Sequence, residues 1–226
     1  MNLTIKLILL ACLAGTTAVA QERTFDINSA SKYFDVKVRV SKCDQDSCTG
    51  KASFSFYKKG GTVPYQVINV KDTYVDLSNG GKPLVNTTML YDQQSVINVG
   101  DYNFDGMDDV AICNGTSGAY GSPSYDIYLS SRTAGKFVYS AALSKLGDRL
   151  GMFEVMKKEK LLQTFDKDGC CLHYTERYKV VGDRPVKVWE EIEDATIQDE
   201  TKVKVTTKTL VNGRWSTSVK YVKREN

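Results

Sequence analysis

The chemistry-bearing part of this sequence is a short acidic segment, residues 101–109, which reads Asp-Tyr-Asn-Phe-Asp-Gly-Met-Asp-Asp. Oxygen-bearing side chains stand at alternate positions, and Gly106 permits the sharp turn that points them inward. Calcium prefers six to eight oxygen ligands from carboxylates, amides and backbone carbonyls. The spacing therefore predicts a Ca²⁺ site formed by the side chains of Asp101, Asn103, Asp105 and Asp109 and the backbone carbonyl of Met107.

The flanking residues indicate the kind of calcium loop. An EF-hand would carry Glu at the twelfth loop position and would lie between two helices. Here Ile112 occupies that position, and residues 96–99 and 110–112 are typical of strands, so we predict a single calcium loop between strands. The alternative is an acidic surface turn that binds nothing, but three carboxylates in one loop repel each other unless a cation screens them. Asp108 is expected to face solvent or to accept backbone hydrogen bonds.

Alternation of apolar and polar residues predicts the elements that carry this loop. A period of two is typical of half-buried strands, and it recurs in Val36/Val38/Val40, Ala52/Phe54/Phe56, Tyr125/Ile127/Leu129 and Trp215/Thr217/Val219/Tyr221. Asn212-Gly213 predicts a tight hairpin, 182–185 separates two further strand-like runs, and 157–162 is expected to form a short helical turn. The predicted fold class is all-β, with antiparallel meander sheets in a β-sandwich or propeller-like arrangement.

The first twenty residues have the pattern of a cleavable secretory signal. A polar start with one lysine precedes a brief apolar stretch, and Ala18-Val19-Ala20 supplies the small residues of a cleavage site. We predict a signal peptide over 1–20 and one secreted β domain over 21–226, with a separate N-terminal β subdomain over 21–90 as an alternative division. A lipid anchor at Cys12 is the less favoured interpretation, and no segment is apolar enough to be transmembrane.

The charge of the chain is nearly balanced, with a formal net charge of +3. Lysines and arginines are scattered along the predicted strands, as on a solvated face. This composition gives no reason to expect nucleic acid as a partner.

Export would place the cysteines in an oxidising compartment. Cys43 and Cys48 flank a polar turn, where a disulfide would staple a hairpin and contribute about 2 kcal/mol. Cys170 and Cys171 could form a vicinal disulfide, or one of them could bond Cys113, and the sequence does not decide between these pairings. A zinc site is disfavoured because the spacing is wrong and the chain has one histidine.

We predict that the protein is not an enzyme. The single histidine, His173, follows the double cysteine, but no nucleophile signature surrounds it. Glu190, Glu191, Glu193 and Asp194 could supply paired carboxylates for glycoside hydrolysis, yet a charged turn after a strand explains them better.

Three motifs in order carry a family resemblance. They are the acidic segment after Asn98-Val99-Gly100, the run 114–121 reading Asn-Gly-Thr-Ser-Gly-Ala-Tyr-Gly, and the run 168–173 reading Asp-Gly-Cys-Cys-Leu-His. Together they resemble the xanthomonad family of periplasmic immunity proteins, over about residues 95–190. The acidic segment alone is similar to the loops of FG-GAP and integrin-type propeller repeats, which recur in every blade, whereas this chain has one.

The resemblance implies a function and a location. Such proteins are periplasmic, neutralise peptidoglycan-hydrolase effectors of a type IV secretion system, and have a fold similar to lysozyme inhibitors, which present a Ser-Gly-x-x-Tyr loop to the hydrolase cleft. Ser117-Gly118-Ala119-Tyr120 is similar but one residue shorter. The implied partner-binding residues are Ser117, Gly118, Tyr120, Ser122 and Tyr125, although Tyr125 could instead pack on the sheet.

Calcium in the adjacent acidic segment is expected to hold this loop in its binding shape. The alternative function is a calcium-dependent glycan-binding or adhesion module.

Overall fold

The computed structural model describes residues 21–90 and 94–224. Strands account for 57% of the structure and helices for 3%, in three antiparallel sheets, which confirms the all-β prediction. The predicted signal peptide and Cys12 lie outside the described residues. In the described part of the chain, no helix is long and apolar enough to span a membrane.

The first sheet has five strands. Its path runs β1-β2-β3-β4, and β5 pairs with the first part of β3. The strands are β1 (Gln21–Ile27), β2 (Phe34–Cys43), β3 (Ser47–Lys58), β4 (Pro64–Val70) and β5 (Tyr74–Asp76).

The central sheet is a four-stranded meander in the order β6-β7-β8-β9. Its strands are β6 (Ile97–Gly100), β7 (Asp109–Gly115), β8 (Ser124–Ser131) and β9 (Lys136–Tyr139). A 3-10 turn, Ala119–Gly121, lies between β7 and β8, and the short helix α1 (Ala141–Ser144) follows β9.

The third sheet is a six-stranded meander in sequence order. Its strands are β10 (Glu154–Met156), β11 (Leu161–Asp168), β12 (Leu172–Val181), β13 (Arg184–Asp194), β14 (Lys202–Val211) and β15 (Arg214–Lys223).

The central sheet is covered on both faces. Val110 and Ile112 of β7 pack into one core cluster with the first sheet, whereas Ala111 and Cys113 pack into a second cluster with Leu162 of the third sheet. Successive side chains of a strand point to opposite faces, so β7 needs apolar residues at consecutive positions. Apart from the exposed edge strand β9, the solvent-facing features of this sheet are therefore the loops at its ends.

The predicted strands are confirmed, as β2, β3, β8 and β15. Asn212-Gly213 forms a two-residue turn with φ values of 51° and 76°, as a type I′ turn requires. One expectation is wrong, because all ten residues of β15 are exposed and not half-buried. The alternation in β15 predicted a strand correctly but does not reflect burial.

Two turn predictions need correction. Residues 157–160 form the turn between β10 and β11, and Leu161 and Leu162 already belong to β11, so no helical turn forms over 157–162. The turn before β13 is limited to Gly182-Asp183. Arg184 and Pro185 belong to the strand, where Pro185 pairs with Val180.

Two disulfides form among the described residues. Cys43 bonds Cys48 across the β2–β3 turn, and Cys170 bonds Cys171 at the turn between β11 and β12. Cys113 is a free, buried thiol in β7. The structure therefore selects the vicinal pairing and not a bond to Cys113.

Candidate functional site

Two loops at opposite ends of β7 carry the predicted site residues. The acidic loop, residues 101–108, enters β7, and the Gly-Tyr loop, residues 116–123, leaves it. Seven residues of β-strand span about 20 Å. The expectation that calcium braces the Gly-Tyr loop directly is therefore wrong, because the two loops are close in sequence but lie a strand length apart.

The acidic loop is closed by its own backbone. Asp101 accepts hydrogen bonds from the N–H groups of Asp105 and Gly106, each at 2.9 Å, and Asp105 accepts one from the N–H of Met107 at 2.9 Å. Phe104 and Gly106 have positive φ values of 62° and 87°, which produce the tight turn. An ionised carboxylate has about four lone-pair sites, so Asp101 and Asp105 keep acceptor capacity beyond these bonds.

Asp109 is a buried carboxylate at the base of this loop. Its side chain is 0% exposed and accepts hydrogen bonds from the N–H groups of Tyr102 and Ser130, both at 2.8 Å. Burial raises the pKa of Asp109 to about 7, against the effect of these hydrogen bonds, and the charges of Asp105 and Asp101 also raise it. A cation beside the carboxylate would favour the ionised form.

The acidic loop contacts all three sheets. Asp108 accepts a hydrogen bond from the Ser31 hydroxyl at 2.9 Å, between β1 and β2 of the first sheet. The Asn103 amide donates to Asp183, in the β12–β13 turn of the third sheet, at 2.9 Å. The loop is thus a joint between sheets. Asp108 is half-buried, and its hydrogen bond to a side chain of the first sheet was not expected from the sequence.

The described residues contain no group of three or more His, Cys, Asp or Glu side chains that could hold a metal ion by themselves. The predicted ligand set also uses the Asn103 amide and the Met107 carbonyl. No described lysine, arginine or histidine lies within 4 Å of the carboxylates of Asp101, Asp105 or Asp109. The negative charge of the loop is therefore not neutralised by a side-chain ion pair.

The Gly-Tyr loop projects one aromatic side chain. Tyr120 is 63% exposed and adopts a left-handed backbone conformation, φ 57° and ψ 28°, inside the 3-10 turn. A left-handed conformation costs a non-glycine residue about 1 kcal/mol. Residues held in such conformations cluster at functional sites, where the surrounding structure fixes them.

Hydrogen bonds from the segment after α1 fix this loop. The carbonyl of Arg149 accepts hydrogen bonds from the N–H of Ala119 and the hydroxyl of Ser122, both at 3.0 Å, and the Ser122 hydroxyl accepts one from the N–H of Gly151 at 3.1 Å. A Cβ atom on Gly118 would lie 2.7 Å from the Arg149 carbonyl. Only glycine permits this close approach, so Gly118 has a packing role.

Arg149 is itself held by the third sheet. Its guanidinium lies 2.9 Å from Asp166 of β11 and 3.6 Å from Glu176 of β12. The sheet therefore positions the backbone that positions the loop. The sequence contains no signal for this role, because Arg149 is distant from the loop along the chain.

The Gly-Tyr loop also rests on the turn that carries the vicinal disulfide. The Tyr120 hydroxyl accepts a hydrogen bond from the N–H of Gly169 at 2.6 Å, and the Lys167 ammonium lies 4.6 Å from the centre of the Tyr120 ring. Two motifs that are about fifty residues apart in the sequence, the Gly-Tyr loop and the Gly-Cys-Cys turn, thus form one surface.

The five predicted partner-binding residues differ in their exposure to solvent. Ser117 and Tyr120 are exposed, whereas Gly118 is buried and the Ser122 hydroxyl is hydrogen-bonded to Arg149 and Gly151. Tyr125 is 0% exposed, and its hydroxyl donates to the carbonyl of Ser95 at 2.7 Å. Its predicted partner-binding role is therefore wrong, because β8 directs its ring into the core.

The candidate catalytic groups do not form a nucleophile pair. His173 lies 3.7 Å from Glu193, and the thiols beside it are joined in the vicinal disulfide. Glu190 accepts hydrogen bonds from Lys187 at 2.8 Å and Lys208 at 2.6 Å. Burial opposes ionisation of Glu190, but hydrogen bonds from these two lysines outweigh it and lower its pKa, so Glu190 is a structural anion.

Comparison with known proteins identifies a similar solved structure. No family model matches the chain, and no curated protein matches it. A solved structure described as a Xanthomonas type IV secretion system related protein matches at 26% identity with a TM-score of 0.63. The match covers 87% of this chain and 92% of that one. The chain is therefore similar, over nearly its whole described length, to a protein related to type IV secretion.

Proposed function

We propose that this protein is a periplasmic inhibitor that binds and blocks a peptidoglycan hydrolase of the lysozyme type, and that it catalyses no reaction itself. The observation that carries the proposal is the geometry of Tyr120, which is exposed, held in a strained conformation and supported from two sides. The similarity to a type IV secretion related protein and the family resemblance of the motifs support the same function.

A projecting loop of this kind suits a narrow cleft. A tyrosine offers a rigid apolar ring with a polar tip, and it loses little side-chain entropy on binding. The Arg149 carbonyl and the Gly169 N–H already fix the loop and the ring. Much of the ordering cost of binding is therefore met before the partner arrives.

The hydrogen bonding of the Tyr120 hydroxyl specifies how it would block a hydrolase. A phenol both donates and accepts, and here it accepts from the N–H of Gly169. Its own hydrogen stays available for an acceptor on the partner. Glycoside hydrolases cleave with a pair of carboxylates, so we propose that Tyr120 donates to one of them and excludes substrate from the cleft.

We further propose that the acidic loop binds Ca²⁺ and that the ion is structural. Asp101, Asn103, Asp105, the Met107 carbonyl and Asp109 offer the hard oxygen donors that calcium requires. The burial of Asp109 without a cationic partner supports the proposal, because a buried charge is costly unless it is paired. The bound ion would hold together the loop through which the three sheets meet.

The test of inhibition is a turbidity assay of cell-wall lysis. Lysozymes of several structural classes and a lytic transglycosylase would each be assayed with and without the protein. We expect protection against at least one enzyme and loss of that protection in Tyr120→Ala. Failure to protect against every hydrolase tested would reject the inhibitor proposal.

Tyr33→Ala is the matched control for that variant. Tyr33 is 61% exposed, close to the value for Tyr120, but it lies between β1 and β2 of the first sheet. Both substitutions remove an exposed ring, so their general effects on solubility and expression are comparable. We expect Tyr33→Ala to inhibit as the wild-type protein does. Equal loss in both variants would contradict a specific role for Tyr120.

One observation favours the alternative, a calcium-dependent glycan-binding module. A cleft of about 480 Å³ is lined by residues 106–108 of the acidic loop and by aromatic and cationic side chains. Its lining includes Tyr33, Tyr65, Lys58, Arg132 and Lys136. Aromatic faces next to charged side chains are suited to a sugar ring carrying an anionic group.

The alternative makes a different experimental prediction. Binding to a glycan array that EDTA abolishes, and that Tyr33→Ala weakens while Tyr120→Ala does not, would favour the glycan-binding module over the inhibitor. The reverse dependence on the two tyrosines would favour the inhibitor.

A further inference from the structure

The strand β15 forms an unpaired edge of the third sheet. It pairs with β14 on one side, and no described strand pairs with its other side. All ten of its residues are exposed. An exposed edge of this length presents a row of backbone N–H and C=O groups that another strand could use.

The hairpin geometry identifies which residues present their backbone outward. The two-residue turn Asn212-Gly213 joins β14 and β15, which pair without a register shift. The pair next to such a turn, Val211 and Arg214, exchanges hydrogen bonds, and the pattern then alternates along the ladder. Every second residue from Trp215 therefore turns its N–H and C=O groups to the open edge, namely Trp215, Thr217, Val219, Tyr221 and Lys223.

The side chains of β15 alternate in the same way. One face of the strand carries Trp215, Val219 and Tyr221, which are 45%, 50% and 61% exposed. The opposite face carries Arg214 and Lys220, separated by serines. A strand added at this edge would place its side chains beside these two rows.

The charge of this hairpin is of one sign. Residues 201–224 contain seven lysines and arginines and no aspartate or glutamate. Lys202 and Lys208 form ion pairs, with Asp199 at 2.9 Å and Glu190 at 2.6 Å. The other five cations have no described carboxylate within 4 Å, and they are Lys204, Arg214, Lys220, Lys223 and Arg224.

This charge decides which strand the edge accepts. Pairing of β15 with a second copy of itself would bring two cationic hairpins together, and like charges on facing strands are destabilising. Lysines on an edge strand are a known protection against such self-pairing. An acidic strand meets no such repulsion and gains from the complementary charge.

We propose that β15 is a docking edge for an extended, acidic segment of a partner protein, which adds to the third sheet as a seventh strand. The segment alternates apolar residues, which lie beside Trp215, Val219 and Tyr221, with acidic residues, which lie beside Arg214 and Lys220. Main-chain hydrogen bonds give such a complex its affinity, and the alternate side chains give it specificity. This docking edge does not depend on the proposed hydrolase inhibition.

The test uses a fluorescein-labelled peptide, Glu-Val-Glu-Val-Thr-Val-Glu-Val-Glu, and the full-length protein in an anisotropy titration. We expect saturable binding that a peptide with Lys in place of Glu lacks. The variant Arg214→Glu/Lys220→Glu should weaken binding at least about tenfold. The control Lys51→Glu/Lys71→Glu, which makes the same charge change at an exposed position of β3 and at the exposed residue after β4, should not weaken it.

Two further arms separate strand addition from simple charge attraction. Peptides N-methylated at alternate residues lose hydrogen-bond donors on one edge only, so one of the two alternating sets should abolish binding and the other should not. Thr217→Pro removes one outward N–H of β15 and should have the same effect as the disabling peptide set.

Several results would overturn the proposal. Equal binding of both N-methylated sets would show that no strand is added. Dextran sulfate or a single-stranded oligonucleotide that binds more tightly than the peptide would indicate a general polyanion surface. A concentration-dependent dimer in sedimentation that Thr217→Pro abolishes would show that the edge pairs with a second copy.

Discussion

Substitutions at Tyr120 separate a role in partner binding from a role in stability, because one variant should lose inhibition while it keeps nearly the wild-type stability. Tyr120→Gly and Tyr120→Ala both remove the ring and the hydroxyl. Glycine adopts the left-handed conformation at φ 57° without a steric cost, whereas alanine does not. The two variants therefore differ in backbone strain but not in the surface that they lose.

The structure gives the expected magnitudes. Both variants lose the hydrogen bond from the Gly169 N–H and the contact with the Lys167 ammonium, which at an exposed site contribute about 1 kcal/mol together. Tyr120→Gly also relieves about 1 kcal/mol of strain. We therefore expect Tyr120→Gly to have nearly the wild-type free energy of unfolding, and Tyr120→Ala to be about 1 kcal/mol less stable.

Inhibition should respond differently. A central tyrosine of an interface contributes about 2 kcal/mol or more, so both variants should inhibit at least about 30-fold more weakly than the wild-type protein. Urea denaturation followed by circular dichroism gives the stabilities, and the turbidity assay gives the inhibition. Wild-type inhibition by Tyr120→Gly would refute the role of the ring, and equal stability of the two variants would refute the strain.

Three further predictions concern stability. Chelation by EDTA should lower the melting temperature of the wild-type protein, and Asp105→Ala should remove the difference; equal melting of the wild-type protein with and without EDTA would reject the calcium site. Cys43→Ala/Cys48→Ala should lower the free energy of unfolding by about 2 kcal/mol in chemical denaturation, because the disulfide closes a short loop. Glu190 has a lowered pKa in the folded state, so its contribution is complete above the ordinary value of 4.5 and is lost as the pH falls through the folded-state pKa. Glu190→Gln should therefore flatten the acid side of the stability profile, and an unchanged acid side would contradict this assignment.

The strands could be predicted from the sequence because their pattern is local. Alternation in Val36, Val38 and Val40 predicts β2 directly. Asn212-Gly213 likewise predicts the type of the turn between β14 and β15. Whether a strand is buried depends instead on distant segments that pack against it, and a local pattern does not show this. The alternation in β15 looks like that of β2, but no element of the described residues 21–90 and 94–224 covers β15.

The candidate site was predictable only in part, because some of its contacts join segments that are distant in the sequence. The positions of Asp101, Asn103 and Asp105 follow from the loop itself. The roles of Arg149, Gly169 and Asp183 depend on contacts between segments that are distant in the chain, and no pattern in the sequence reports them. The alternation of Tyr125, Ile127 and Leu129 correctly predicted that these residues share one face of β8, and that face is buried. The partner-binding role of Tyr125 came from the family resemblance of the neighbouring loop, which does not report the direction of this side chain.

The separation of the two loops by the length of β7 has a consequence for how this protein could be altered. One end of the central sheet carries the acidic loop, which contacts all three sheets, and the other end carries the Gly-Tyr loop, which we propose as the contact surface. If the Gly-Tyr loop binds the partner as proposed, a change in this loop alters specificity and leaves the acidic loop intact. Replacement of residues 116–123 by other loops, with the Arg149 contacts retained, is therefore the route by which this scaffold could acquire new targets without loss of its fold.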